Sequence, residues 1–202
     1  MKLYAAPGAC SLASNIALHE AGIKFDLAKV DLRTKKVEGA DFNDVNSKGY
    51  VPALRLDDGQ ILTENVAVLQ YIADRNPAAK LAPPAGTMEH YRLQEWLSFI
   101  NYELHKSFGP LFSPEAKDDT KQYALNLLRK RLGWLQGAMG SKKYLLGEQF
   151  TVADAYLFTI LGWGAHVGVD IGQWPALKSY FDRIGARPHV IEAMTAEGLI
   201  KK

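Results

Sequence analysis

The chain has 202 residues and a formal net charge of +2, from 24 basic and 22 acidic residues. With 48% hydrophobic residues it has ample material for a packed core, whereas disordered chains combine low hydrophobicity with high net charge. The balanced, interleaved charges exclude the basic footprint typical of proteins that bind nucleic acid or anionic membranes. A single cysteine excludes an intrachain disulfide and a zinc site made of several cysteines.

The N-terminus does not fit a secretory signal. Such a signal needs a basic start and then an apolar segment of roughly 7–15 residues, but only a handful of residues separate Lys2 from Pro7. The longest apolar stretch, around residues 155–165, is interrupted by Thr159 and glycines and is too short to span a bilayer. The sequence therefore predicts a soluble, cytoplasmic protein.

The first part of the chain opens with a strand, a helix and a strand. Residues 2–6 are a short apolar run, and Leu12 and Ile16 then mark one face of an amphipathic helix. Gly22 suits the C-terminal end of that helix. Residues 26–32 alternate between apolar and polar side chains, which is typical of a strand. This order indicates the start of a βαβ unit.

A predicted hairpin and a helix follow a charged connection over residues 33–50. Two short β-type runs, residues 53–56 and 60–63, are separated by a turn with an Asp-Gly step, which is a strong hairpin signal. A helix then begins near Glu64 with apolar residues on one face. The order βαβ…ββα is that of the thioredoxin fold, so we expect an α/β N-terminal domain of this type.

The second half of the chain reads as helical, with leucine stripes at helical spacing. Thr151 and Asp154 have the form of a capping box. The segment from there to Gly164 is apolar nearly all round, as in a helix buried at the centre of a domain. A last helix is predicted to begin near Trp174.

Between the two halves, prolines and a glycine break the periodicity, as is typical of an interdomain linker. We therefore predict a thioredoxin-like domain over residues 1–77 and a linker over residues 78–86. An all-helical domain would occupy residues 87–202.

Cys10 is the first candidate site residue. It lies beyond the first strand and just before the first helix, where backbone amides and the positive end of the helix dipole can stabilise a thiolate. A lone cysteine is also often no more than a small buried hydrophobic residue. The position between strand and helix in a thioredoxin-like pattern favours the functional interpretation.

Two further features could bind an extended peptide. Pro52 opens a strand, which commonly marks only an edge. In thioredoxin-like folds this position carries a cis proline, which would leave the Val51 backbone to pair with a peptide. Glu64 and Asn65 could be an ordinary helix-start pair. Alternatively, the helix amides could hold the carboxylate of a γ-glutamyl group while Glu64 holds its ammonium group.

A histidine stands out in the helical half. At α-helical spacing, Ser98, Tyr102 and His105 would share a polar face opposite a leucine stripe. Such a face is ordinarily solvated surface, but it could also line a cleft in which the imidazole donates to a thiolate sulfur. Phe108 and Phe112 could supply apolar walls.

Taken together, these residues resemble bacterial beta-class glutathione transferases, over essentially the whole chain. The resemblance rests on six motifs: Lys2-Leu3-Tyr4 with Pro7-Gly8-Ala9-Cys10-Ser11-Leu12, Gly49-Tyr50-Val51-Pro52-Ala53-Leu54, Leu62-Thr63-Glu64, Glu103-Leu104-His105-Lys106, the capping box within residues 150–157, and Ala196-Glu197-Gly198-Leu199. It implies the glutathione transferase fold, in which a thioredoxin-like domain is joined to an all-helical domain. It also implies glutathione as co-substrate, no metal, and a homodimer.

The resemblance further implies a glutathione site with Cys10 facing the glutathione sulfur and His105 contributing from the helical domain. The implied binding residues are Lys35 for the glycyl carboxylate, Val51 beside Pro52 for the cysteinyl residue, Glu64 and Asn65 for the γ-glutamyl group, and Ser98. The residues expected to border the electrophile pocket are Phe108, Phe112 and Trp163. The family usually has Ser or Gly in place of Asn65, and often Asn in place of Ser98.

Two classes of function follow. In the first, glutathione attacks a small hydrophobic electrophile or reductively removes its halide, and thiol–disulfide exchange through Cys10 is also open. In the second, the protein is a non-catalytic, transferase-like binding or stress-regulatory module, since a fold does not determine a function. The presence of Cys10, Val51 with Pro52, Glu64 and His105 favours the enzyme.

Overall fold

The computed structural model describes residues 1–201, and within them six short strands form one mixed sheet. The strands are β1 (Lys2–Ala5), β2 (Asp26–Asp31), β3 (Lys36–Val37), β4 (Ala40–Asp41), β5 (Ala53–Arg55) and β6 (Ile61–Thr63). Their order in the sheet is β4-β3-β2-β1-β5-β6. Strands β1 and β2 are parallel, and every other neighbouring pair is antiparallel.

Eight α-helices accompany the sheet in the described part of the chain. They are α1 (Ser11–Glu20), α2 (Asn65–Arg75), α3 (Met88–Phe99), α4 (Lys106–Phe112), α5 (Asp118–Met139), α6 (Val152–Gly162), α7 (Pro175–Gly185) and α8 (Pro188–Glu197). Between α3 and α4 the helix continues as a π-helical segment, Ile100–His105. No helix within residues 1–201 is both long enough and apolar enough to cross a bilayer.

The chain divides into two compact units. The first combines Met1–Ala82 with the segment that begins at Gly185, and the second is Pro83–Ile184. The first unit holds the sheet with α1, α2 and α8, and its element order confirms the predicted βαβ…ββα arrangement. The second unit contains only helical elements and connections, with no named strand among its residues, as the sequence predicted.

The end of α1 follows the sequence-based expectation closely. Gly22 has a φ of +62°, a left-handed conformation that favours glycine. The Ile23 N–H donates to the Leu18 carbonyl at 3.1 Å, and the Gly22 N–H donates to the His19 carbonyl at 3.0 Å. This pair of bonds is a Schellman motif. It satisfies the last carbonyls of α1 just before the chain enters β2.

The hairpin of β5 and β6 forms as predicted, with Ala53 paired to Thr63 and Arg55 to Ile61. The connection over residues 33–50 is more structured than expected, since it contains β3 and β4. Each of these strands has only two residues, too few for an alternating pattern to be recognised in the sequence.

The C-terminal region contains two helices where the sequence predicted one. Pro188 occupies the first turn of α8, where its missing N–H is tolerated but where it cannot continue a preceding helix. Helix α8 packs on α1: Asn15 Nδ2 donates to Glu197 Oε1 at 3.1 Å, and the Gly8 N–H donates to Glu197 Oε2 at 2.9 Å. The helical unit therefore ends before α8, whereas the sequence predicted that it would continue to residue 202.

Helix α6 is the most deeply buried element, as expected, because every residue from Val152 to Leu161 is buried. The Thr151 N–H donates to Asp154 Oδ2 at 2.8 Å, which confirms the predicted cap. The other carboxylate oxygen, Oδ1, accepts from the Leu145 N–H at 2.9 Å and from the Tyr180 hydroxyl at 3.0 Å. Asp154 thus ties three segments of the helical unit together.

Candidate functional site

Cys10 lies where the sequence placed it, at the N-cap of α1. It is half-buried, and its Sγ donates to the carbonyl oxygen of Val51 at 3.2 Å. The Val51–Pro52 peptide is cis, as the resemblance implied. The thiol is therefore in direct contact with the backbone segment that was expected to pair with a peptide.

Lys35 reaches the same loop from the connection between β2 and β3. Its Nζ donates to the carbonyl oxygen of Gly49 at 2.9 Å, two residues before Val51. Gly49 has a φ of +66°, and a Cβ at this position would lie 3.1 Å from Asn43 Oδ1 and 3.7 Å from Lys35 Nζ. Glycine therefore suits this left-handed position, where a side chain would crowd Asn43, whereas its contact with Lys35 would be ordinary.

Glu64 and Asn65 stand at the start of α2. Lys48 pairs with the Glu64 carboxylate, and its Nζ also donates to Thr63 Oγ1 at 3.0 Å. Asn65 is only 6% exposed, and its Oδ1 accepts from the Ser14 hydroxyl of α1 at 2.7 Å. The Asn65 Nδ2 is buried with no hydrogen-bond partner in the described structure. An unpaired buried donor is costly, so an acceptor supplied by a ligand would stabilise this helix start.

These contacts link the candidate residues of the first unit in a series. Lys35 contacts the loop at Gly49, Cys10 contacts it at Val51, and Lys48 connects it to Glu64. Sequence reasoning missed Lys48. In a charged connection a lysine that pairs with a site residue looks like any other surface lysine.

In the second unit, the π-helical segment Ile100–His105 changes the predicted arrangement of side chains. Its wider turn alters the phase of the helix, so Ser98 and Tyr102 remain exposed, Tyr102 by 74%, while His105 is partly buried. The three residues predicted to share a polar face therefore differ in their exposure to solvent.

His105 contacts a buried tyrosine. Its Nδ1 lies 2.6 Å from the hydroxyl of Tyr156, which in turn donates to Oδ1 of Asn101 at 3.0 Å. Burial, and to a lesser extent the ammonium group of Lys106, lowers the pKa of His105 from 6.5 to about 4. The imidazole is therefore neutral at neutral pH.

The three residues expected to border an electrophile pocket come together beside this histidine. The rings of Phe108 and Phe112 stack with centroids 5.9 Å apart, and Trp163 stands edge-on to each at 5.5 Å. The Trp163 ring also lies 4.9 Å from the imidazole of His105. Phe112 is 47% exposed, so this aromatic cluster is open to a small apolar molecule on one side.

Tyr156 and Asn101 were not identified from the sequence. Tyr156 lies within the apolar run of α6, and a buried tyrosine hydroxyl usually has a hydrogen-bond partner. That rule signals a polar contact at this position, but not that the partners lie 51 and 55 residues away in the chain.

Comparison with known proteins gives matches along most of the chain. The family model "Glutathione S-transferase, N-terminal domain" matches residues 8–75, and "Glutathione S-transferase, C-terminal domain" matches residues 99–188. Glutathione S-transferase GstA of Escherichia coli O157:H7 is 44% identical over 98% of this chain and 100% of its own length.

Solved structures agree with these matches. The bacterial beta-class glutathione S-transferase of Sphingomonas chungbukensis is 53% identical with a TM-score of 0.96, over 99% of this chain and 100% of that one. A sphingomonad glutathione S-transferase complexed with glutathione is 49% identical with a TM-score of 0.95, again over 99% of this chain and 100% of that one.

Proposed function

Because the chain belongs to the beta class of the glutathione S-transferase family, we propose that it transfers the glutathione sulfur to small hydrophobic electrophiles. Family membership confirms the predicted enzyme class and glutathione as the co-substrate. Reductive removal of halide from such electrophiles, and thiol–disulfide exchange through Cys10, are further parts of the proposal.

The contact between Cys10 Sγ and the Val51 carbonyl, at 3.2 Å, is the observation that carries this proposal. Glutathione is an extended tripeptide, and such peptides bind by pairing with exposed backbone. If its cysteinyl residue pairs with Val51, its sulfur lies beside Sγ of Cys10. Lys35, held at Gly49 on the same loop, then supplies a cation for the glycyl carboxylate.

The other end of glutathione carries a carboxylate and an ammonium group. The unpaired Nδ2 of Asn65 can donate to the carboxylate at the start of α2, where the helix amides also favour an anion. Glu64 can accept from the ammonium group in place of Lys48, its present partner. These roles match the charges at the γ-glutamyl end of glutathione.

The proposed chemistry depends on the glutathione sulfur as a thiolate. In conjugation, a sulfur electron pair forms the bond to the electrophilic carbon, and a halide leaves with the electron pair of the broken bond. In exchange, the Cys10 thiolate attacks the glutathione sulfur of a disulfide between glutathione and another thiol, which forms a Cys10–glutathione disulfide and releases the other thiolate. A free glutathione thiolate then attacks this disulfide, because the chain has no other cysteine, and releases oxidised glutathione and the Cys10 thiolate.

The binding half of the proposal is tested by Asn65→Asp. This change keeps an acceptor for the Ser14 hydroxyl but replaces the unpaired donor with an anion, so glutathione affinity should fall at least about tenfold. Asn126→Asp, on α5, makes the same chemical change while keeping the acceptor that Asn126 offers to Gln122, and should leave affinity unchanged. Titration calorimetry measures both variants. Equal glutathione affinities in the two variants would show that Asn65 does not bind glutathione.

The chemical half is tested by Cys10→Ala. We expect that this variant forms no glutathione adduct detectable by mass spectrometry and loses exchange activity, while its conjugation of an aryl halide changes without vanishing. Full exchange activity in this variant would refute the role of Cys10. Glutathione binding without turnover of any electrophile in the unmodified protein would favour the alternative, a non-catalytic binding or regulatory module.

We also propose that the protein is a homodimer and that Ser98 contacts glutathione, both on the basis of the family resemblance. Several large aromatic side chains of the helical unit, among them Tyr91 and Trp134, are more than half exposed, which suits a surface covered by a partner. Sedimentation analysis tests the dimer, and glutathione titration of Ser98→Ala tests the contact. A monomer at micromolar concentration, or an unchanged affinity, would contradict the respective proposal.

A further inference from the structure

The buried hydroxyl of Tyr156 determines where the proton of His105 lies. Tyr156 is fully buried, and its hydroxyl has hydrogen bonds to both Asn101 and His105. A hydroxyl has a single proton, and here that proton is donated to Oδ1 of Asn101, an amide oxygen that can only accept. The Tyr156 oxygen therefore presents a lone pair towards His105, and Nδ1 must carry the hydrogen that joins them.

The consequence for the other ring nitrogen follows directly. A neutral imidazole has one N–H, so Nε2 of His105 is left with an unshared electron pair. Nε2 can then accept a proton, but it cannot donate one. This reverses the direction expected from the sequence, in which the imidazole donates to a thiolate that has already formed.

We propose that Tyr156 and Asn101 are positioning residues that hold His105 as its Nδ1–H tautomer, so that Nε2 accepts the proton of the glutathione thiol. This inference rests on the proposed function and on the contribution to the glutathione site that the family resemblance implies for His105. In the step itself the S–H bond breaks, its electron pair stays on sulfur, and the proton forms an N–H bond at Nε2. The products are a thiolate and an imidazolium whose Nδ1–H still donates to Tyr156. Because burial lowers the pKa of His105, the imidazolium is stabilised only by the negative charge of the thiolate that forms with it.

The backbone explains why this geometry is possible. Asn101 and His105 both lie in the π-helical segment, whose altered phase brings an amide and an imidazole onto one hydroxyl. π-helical turns are rare and occur frequently at functional sites. Tyr156 comes from the middle of α6, where every neighbour from Val152 to Leu161 is buried, so its hydroxyl has little freedom to turn away.

The direct test is the ¹⁵N NMR spectrum of the His105 ring in the unmodified protein at neutral pH. We expect a protonated Nδ1 and an unprotonated Nε2. An Nε2–H tautomer would overturn the inference, and this measurement requires no variant.

Variants then test the cause. Tyr156→Phe keeps the ring and removes the hydroxyl, so His105 should lose its preference for Nδ1–H. The turnover number should fall about tenfold with little change in KM for glutathione, as for a group that acts in the chemical step. Asn101→Leu, at a partly exposed position, should have the same effect on the tautomer because the hydroxyl is then free to donate to Nδ1.

The matched control is Tyr180→Phe, which removes another fully buried tyrosine hydroxyl from the same unit, one bonded to Asp154 rather than to His105. It should lower stability but keep the tautomer and the turnover number. An equal loss of turnover in both variants, or an unchanged His105 tautomer in Tyr156→Phe, would show that the hydroxyl has only a structural role.

Replacing His105 itself distinguishes a failure of its role in turnover from a failure of the tautomer inference. In a His105→Gln background, adding Tyr156→Phe should cause no further loss of turnover. If His105→Gln left turnover unchanged, the catalytic half of the inference would fail together with the proposed role of His105. An Nε2–H tautomer in an enzyme that does depend on His105 would refute the inference alone.

Discussion

Removing the carboxylate of Asp154 should destabilise the protein far more than the loss of an ordinary helix cap. In Asp154→Ala, the Tyr180 hydroxyl keeps a nearby acceptor in the Asp154 backbone carbonyl at 3.3 Å. The N–H groups of Leu145 and Thr151 both donate to the Asp154 carboxylate, and the variant removes that acceptor. Each buried N–H left unpaired costs about 1–3 kcal/mol, so the two together should lower the free energy of unfolding by roughly 2–6 kcal/mol.

Urea denaturation followed by circular dichroism measures this loss, and Asp170→Ala provides the matched control. Asp170 also caps a helical turn, by accepting from the Gly172 N–H at 2.8 Å, but it is exposed. Its removal should cost at most about 1 kcal/mol, because water can replace the lost acceptor. Asp154→Asn, which keeps one carbonyl oxygen, should fall between the two.

Equal costs for Asp154→Ala and Asp170→Ala would refute this reasoning. Such a result would mean that the interior around Asp154 rearranges to supply new acceptors, and that burial does not set the penalty.

Two further predictions concern the candidate site. His105 holds a proton less tightly in the folded state than in the unfolded state, so its neutral form stabilises the fold above pH 6.5, and this stabilisation is lost as the pH falls towards 4. This stabilisation amounts to about 3 kcal/mol. The free energy of unfolding of His105→Gln, measured against pH, should lack this contribution. Identical pH profiles for the variant and the unmodified protein would contradict the prediction. Lys35→Ala should weaken glutathione binding by about 1–3 kcal/mol in calorimetry, whereas Lys24→Ala, at an exposed position, should not.

The features that the sequence predicted well are mainly those set by residues adjacent in the chain. The Schellman end of α1 and the hairpin of β5 and β6 depend on a few adjacent residues whose backbone preferences are strong, and both formed as expected. The capping box of Thr151 and Asp154 is of the same kind. Its two further donors could not be predicted, because they come from Leu145 and Tyr180 through tertiary packing.

The candidate site shows the same limit. The positions of Cys10 and Asn65 at helix starts follow from local pattern, but the Cys10 contact with Val51 depends on how the sheet folds. The sequence predicted His105 as a candidate site residue but did not predict the residues that surround it. Its partner Tyr156 is distant in sequence, and the π-helical segment departs from the 3.6-residue spacing on which the prediction relied.

The packing of α8 on α1 has a consequence for how the protein is made. The unit that contains the sheet is discontinuous in sequence, since the helical unit Pro83–Ile184 is inserted between its two parts. During synthesis the N-terminal segment leaves the ribosome long before Glu197, the acceptor for Gly8 and Asn15, has been translated. The helical unit can be completed first, and the unit with Cys10 acquires α8 only after the whole helical unit has been translated.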